Sequence, residues 1–165
     1  MKNKFVILLF LCSTFLGCNS IPVKSEPSEF SGFVIDENNK PLENVVIKIL
    51  SSDISEITTV TNQSGMFVFS EIKTGDLNVL AYKEGYTKYD EKIEFYNRDK
   101  ILCIQICSAD LVLDNIEKAV LIKDFENARK QLNSIYCNDS KNLKWVLNEY
   151  KKVIGEKKNE NKKNL

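Results

Sequence analysis

The chain has no histidine, and only three prolines, six glycines and one tryptophan among its 165 residues. Without imidazole, Ser-His-Asp and Cys-His catalysis are excluded, as is any zinc site that needs a histidine ligand. An excess of either charge is also missing. With 23 Lys+Arg against 23 Asp+Glu, nothing pulls the chain toward nucleic acid, which is not expected as a partner. No Gly-rich phosphate loop or nucleotide motif is present, so no cofactor is implied. What remains is a chain of ordinary globular make-up, 43% hydrophobic and 28% charged, long enough for one domain with a small appendage.

The N-terminus carries an address. Lys2 and Lys4 precede the apolar run Phe5-Val-Ile-Leu-Leu-Phe-Leu11, which leads through Ser13 and Thr14 to Gly17-Cys18. A basic start, a short apolar core and a small residue before the cut describe a secretory signal over residues 1–17. The run falls short of the roughly 20 apolar residues of a membrane span. Phe15-Leu-Gly17-Cys18 resembles the lipobox of bacterial lipoproteins, with Phe15 where that pattern usually has Leu. The resemblance implies cleavage between Gly17 and Cys18, a diacylglycerol on the Cys18 thiol, and acyl chains such as palmitate as the membrane anchor. Asn19 is not the Asp that retains such proteins in the inner membrane, so the same resemblance implies the outer membrane. Residues 18–30 hold the lipidated cysteine and a tether. Its residues 19–30, with two prolines and three serines, have no strand or helix period and reach about 40 Å when extended.

Residues 31–107 read as strands. Phe33 and Ile35 alternate ahead of the turn formers Asp36-Glu-Asn-Asn-Lys-Pro41. Val45, Ile47 and Ile49 then share a face. Thr58–Thr61 ends at Asn62-Gln-Ser-Gly65, and Phe67 and Phe69 alternate before Lys73-Thr-Gly75-Asp76. Val79 and Ala81 precede Glu84-Gly85-Tyr86, and Lys88–Tyr96 and Ile101–Cys107 complete about seven strands. Such spacing argues a β-sandwich or barrel. Gly65 falls where a tight turn wants positive φ, and the Asn62 side chain can cap that turn. The ordered landmarks Gly32-Phe-Val-Ile-Asp36, Lys40-Pro-Leu42, Asn44-Val-Val-Ile47, Thr61-Asn-Gln-Ser-Gly65-Met-Phe-Val-Phe69, Ile72-Lys-Thr-Gly75 and Gly85-Tyr86 resemble the carboxypeptidase regulatory-like domain. That family implies a transthyretin-like, Ig-like Greek-key sandwich without catalytic chemistry of its own. Asn44 stands where the family usually has Gly, and Leu77 where it has Tyr. A pilin-type sandwich sealed by a Lys–Asn isopeptide bond is disfavoured, because the first strand carries no Lys.

After Cys107 the period becomes helical, and residues 108–156 read as three helices. Leu113, Ile116 and Val120 follow a Ser108 cap, and Phe125, Ala128, Leu132 and Ile135 follow Asp124. Leu143, Val146, Leu147, Tyr150, Val153 and Ile154 follow Asp139 or Ser140 and close near Gly155. Ala119–Leu132 resembles part of a tetratricopeptide helix pair. An array needs about three repeats, so the segment reads as an appendage. Both faces of several strands are partly apolar, which predicts that these helices cover an outer sheet face. Residues 157–165 read as a solvated, frayed tail.

Few residues suggest a site. The fold class is mainly β with an α appendage, and the function implied is that of a non-catalytic, lipid-anchored envelope protein. Its partners would be the membrane, through the anchor, and another envelope protein. The alternative is a glycan-binding module, for which Tyr86, Tyr89, Phe95 and Tyr96 are the one aromatic cluster available. Cys103 and Cys107 lie four apart on a strand, about 13 Å, too far for a bridge. Cys107–Cys137 is the candidate disulfide and would staple sheet to helices, but three buried thiols are the favoured reading. Asp36, Asn38 and Asn39 are read as a solvated turn in preference to a calcium loop. Trp145 is read as an edge anchor of the third helix.

Overall fold

The structure, a computed structural model, describes residues 28–51, 54–96 and 100–163. Seven strands come first: β1 Ser28–Ile35, β2 Val46–Ser51, β3 Ile54–Val60, β4 Met66–Ile72, β5 Gly75–Tyr82, β6 Tyr89–Phe95 and β7 Ile101–Gln105. Three helices follow: α1 Ala109–Leu121, α2 Phe125–Ser134 and α3 Lys141–Lys163. The strands form two sheets, ordered β4-β1-β7 and β3-β2-β5-β6. All pairings are antiparallel except that of β1 with β7. The fold is mainly β, as the strand spacing predicts. Its first strand starts at Ser28, three residues inside the segment read as a tether.

Alternation fills the space between the sheets. Phe30, Val34, Ile47, Ile49, Phe67, Leu77, Val79, Phe95 and Ile104 are all buried there. Phe30 touches three other rings, with Phe95 edge-on at 5.0 Å and Phe67 and Phe69 at 6.0 and 6.3 Å. Such pairs add about 0.5–1.5 kcal/mol each beyond the area they bury. Leu77, where the resembling family has Tyr, keeps the core filled at 1% exposure. A bulge marked by Glu71 at φ 62° lets Ile72 turn inward after Phe69.

The turns behave as their residues dictate. Asp36 Oδ1 accepts the N–H groups of Asn38 and Lys40, each at 2.8 Å, so this carboxylate is occupied by its own turn. Asn62 Oδ1 accepts from Ser64 and Met66, and Gly65 sits at φ 71°. Asn44, in place of the family's Gly, takes φ 58°, within reach of Asn's tolerance for left-handed backbone. Thr61 is the one polar side chain in the core among the described residues. Its hydroxyl donates to the Leu42 carbonyl at 2.6 Å and accepts the Val45 N–H at 2.9 Å.

The helices pack on each other. Val112, Ile116 and Ala119 of α1, Phe125, Ala128 and Leu132 of α2, and Leu147 and Ile154 of α3 make a second core. Ser108 caps α1 by accepting from Leu111, Asp124 caps α2 by accepting from Asn127, and Ser140 accepts from Leu143 at the start of α3. Two expectations need correction. The helices cover neither sheet face: Phe33, Met66, Val68, Leu50 and Val60 stay 37–55% exposed, because the helical stripes are spent on one another. And α3 does not close at Gly155 but continues to Lys163, through residues read as a frayed tail. One interior glycine costs only about 1 kcal/mol, and the Glu and Lys residues beyond it are good helix formers.

Gly32, on the central strand β1, is crowded by both of its neighbours in the sheet, β7 and β4. A Cβ there would lie 2.3 Å from the Leu102 carbonyl oxygen and 2.5 Å from the Phe67 ring. Gly32→Ala is expected to destabilise by about 1–3 kcal/mol through overpacking. Gly155→Ala, whose Cβ would meet open space, should stabilise by up to about 1 kcal/mol. Urea denaturation of the two variants reads both signs.

Candidate functional site

The helical segment is mounted on one end of the sandwich, at the loop between β5 and β6. Gly85, at φ 79°, donates its N–H to Tyr136 O at 3.1 Å and accepts the Ala109 N–H at 2.7 Å. Tyr136 N–H donates to Tyr86 O at 2.7 Å, Lys88 N–H to Ser134 O at 2.8 Å and Thr87 N–H to Cys107 O at 2.8 Å. Two carboxylates clamp the helix starts. Glu37 accepts the Ser108 N–H at 3.0 Å and its hydroxyl at 2.5 Å. Glu84 accepts the N–H groups of Asn138 at 2.8 Å and Ser140 at 3.1 Å, just ahead of α3. Negative charge is favoured at both places by the unpaired N–H groups of a helix N-terminus. The Tyr82 and Tyr136 rings pack at 4.8 Å across the joint, with the Lys88 ammonium 5.7 Å from the centre of the Tyr136 ring.

That joint uses the residues read as a ligand platform. Tyr86 and Tyr89 are partly buried against the sandwich core. Phe95 is fully buried and belongs to that core, which corrects its reading as a ligand contact: it ends β6 on the inward side of the alternation. Tyr96 is 66% exposed and donates its hydroxyl to Asp76 at 3.3 Å. The four rings therefore do not share one exposed face. Gly17 and Cys18 lie outside the described residues. Cys107 and Cys137 are free thiols, half-buried against the helical core, so the candidate staple is not formed and the favoured reading of free thiols holds; Cys103, expected to be buried, is exposed on β7. Trp145 is 65% exposed on α3 and anchors no edge. Among the described residues no three His, Cys, Asp or Glu side chains converge as metal ligands, and no helix is long and apolar enough to cross a membrane.

The feature that sequence reading missed lies between α1 and α3. An open apolar groove of about 420 Å³ is lined by Ile116, Val120, Leu121, Tyr150, Val153 and Ile154. Tyr150 spans its floor and donates its hydroxyl to Glu117 at 2.6 Å, a bond that pushes the phenol up to about 12. Leu121 and the adjacent Ile122 are 82% and 76% exposed, and Val153 is 46% exposed. Leu121-Ile122 closes α1 with two apolar residues and no partner stripe, a signal that was legible in the sequence.

Residues 29–99 match the Carboxypeptidase regulatory-like domain. The matched part, less than half of the chain, spans β1 to β6 of the sandwich; β7 and the helices lie beyond it. No curated relative matches the chain. Among solved structures, the chain is similar to the Bacillus anthracis TIE protein at 15% identity and TM-score 0.42, over 51% of this chain and 16% of that one. It is similar to BcpA, the major pilin subunit of Bacillus cereus, at 17% identity and TM-score 0.41, over 50% and 30%. A 3-chlorocatechol 1,2-dioxygenase from Rhodococcus opacus is similar at 12% identity and TM-score 0.42, over 51% and 61%. The chain thus spans less than two thirds of each of these proteins.

The joint between the sandwich and its helices generates two predictions. Glu37 and Glu84 are both held below the ordinary 4.5, Glu37 first by the Ser108 hydroxyl and Glu84 first by the Asn138 N–H. A carboxyl lowered by folding contributes stability above its unfolded value and loses it as pH falls through the folded one. Thermal unfolding should therefore show the attachment weakening below about pH 4, and Glu37→Gln with Glu84→Gln should flatten that dependence. Burial pushes the Cys107 and Cys137 thiols up. Maleimide labelling followed by peptide mapping should find exposed Cys103 modified about tenfold faster than either.

Proposed function

We propose that this protein is a non-catalytic, lipid-anchored protein of the bacterial cell envelope, on the outer membrane. Acyl chains on Cys18 hold it there. The sandwich is a rigid mount, and the helical segment meets another envelope protein. The observation that carries this reading is the open groove between α1 and α3, where Leu121, Ile122 and Val153 leave apolar surface in water. A large apolar surface grouped in one place, with polar surroundings, is characteristic of protein contact. The anchor rests on the run from Lys2 to Cys18, and two or three acyl chains bind a bilayer firmly where one does so only marginally.

The test joins both halves of the proposal. In intact cells, the parent should take up radiolabelled palmitate and partition into detergent, and Cys18→Ser should do neither. A photo-crosslinking residue at position 121 should capture a discrete envelope protein, and the same residue at position 90, on exposed β6, should not. Equal labelling of the parent and Cys18→Ser would overturn the anchor. Identical capture from both positions would overturn the contact surface.

A further inference from the structure

The rim of the groove carries information about its occupant. Asp110, Asp114 and Glu117 recur at i, i+4 and i+7 along α1, and Leu121 continues the same line at i+11. At 3.6 residues per turn these four share one face; Glu117 and Leu121 line the groove, and Asp114 and Asp110 continue that face along α1 beyond the lining, Asp114 near enough to Tyr150 to help raise its phenol. Among the described residues no ion pair joins any of the three acids to a cation. Glu117 accepts the Tyr150 hydroxyl and has no cation beside it among the described ion pairs. On the α3 side, Glu149 is already paired with Lys152 at 2.6 Å. The groove is therefore apolar in most of its lining, its α3 acid is paired, and the α1 face that runs on from it carries Asp114 and Asp110. Lys118, the one cation inside α1, lies about 80° around the helix from the acidic line.

We propose that this groove receives an amphipathic basic helix of a partner protein. The partner lays its apolar stripe over Val120, Leu121, Tyr150 and Val153 and sets Lys or Arg side chains against Asp110, Asp114 and Glu117. This deepens the reading of the helical segment as a contact surface and rests on it. The groove meets α1 from Ile116 to Leu121, and the acidic face extends the contact back to Asp110, about 18 Å in all, the length of a partner helix of about three turns. Helix-in-groove recognition takes its affinity from apolar anchors spaced three and four apart. The acidic face then sets orientation and rejects acidic helices. A second copy of this chain is a poorer match, because its corresponding surface would bring the same acids to face one another.

Three synthetic helices test the proposal by fluorescence anisotropy against the folded protein. All are about 18 residues long: one of Leu and Lys with helical period, one with every Lys replaced by Glu, and one of Leu and Lys with the period scrambled. The periodic Leu/Lys helix should bind at least tenfold more tightly than the other two. Leu121→Asp or Val153→Asp should weaken it at least tenfold, with circular dichroism verifying that each variant is folded. Asp110→Lys with Asp114→Lys, which leaves the Tyr150–Glu117 bond intact, should reverse the preference toward the Leu/Glu helix. Equal binding of the Leu/Lys and Leu/Glu helices, no binding of either, or indifference to Val153→Asp would overturn the proposal. So would concentration-dependent self-association abolished by Leu121→Asp, which would assign the groove to a second copy. Capture through position 121 in cells, together with failure of the Leu/Lys helix, would leave the contact surface standing and remove the basic helix alone.

Discussion

Main-chain hydrogen bonding between a sandwich loop and the linkers of a helical segment is the constraint on which the architecture depends. Gly85, Tyr86, Thr87 and Lys88 are turned toward Cys107, Ala109, Ser134 and Tyr136, and each side satisfies backbone groups that the other would leave unpaired. Buried backbone polar groups cannot be left without partners at small cost. The joint thus fixes the two cores relative to each other although their apolar clusters are separate. Gly85 is suited to the position, since its φ of 79° is strained for any residue with a Cβ.

Separate cores explain where the apolar surface is exposed. Three amphipathic helices packed as a hairpin plus one cannot bury every stripe, and a fourth partner would be needed to close the set. The two-sheet body meets its own needs through Phe30 and its neighbouring rings. Surplus therefore collects at Leu121, Ile122 and Val153, outside the family match.

Much of this fold was legible in the residues. Period-two alternation at Val45–Ile49 and Phe67–Phe69, the capping residues Ser108 and Asp124, and positive φ at Asn44 and Gly65 each act through contacts within a few positions. What sequence reading missed depends on contacts far apart in the chain. The seating of the helices at Gly85–Lys88 and the groove between α1 and α3 are decided by tertiary partners. An aromatic cluster in a sequence is only a list of neighbours. Strand alternation sent Phe95 inward and left Tyr96 outside, and the supposed platform divided between them.

The parallel pairing of β1 with β7 has a mechanical consequence. Ser31 lies opposite Ile101 and Ile35 opposite Gln105, so the chain enters β1 at one end of the pair and leaves β7 at the other. Tension between the entering segment and the helices pulls the two strands along their own length, in shear. The rungs between them then share the load together instead of opening one by one. A body held at its leading end and tugged through its helices would resist as a clasp does, yielding only when the whole row gives way.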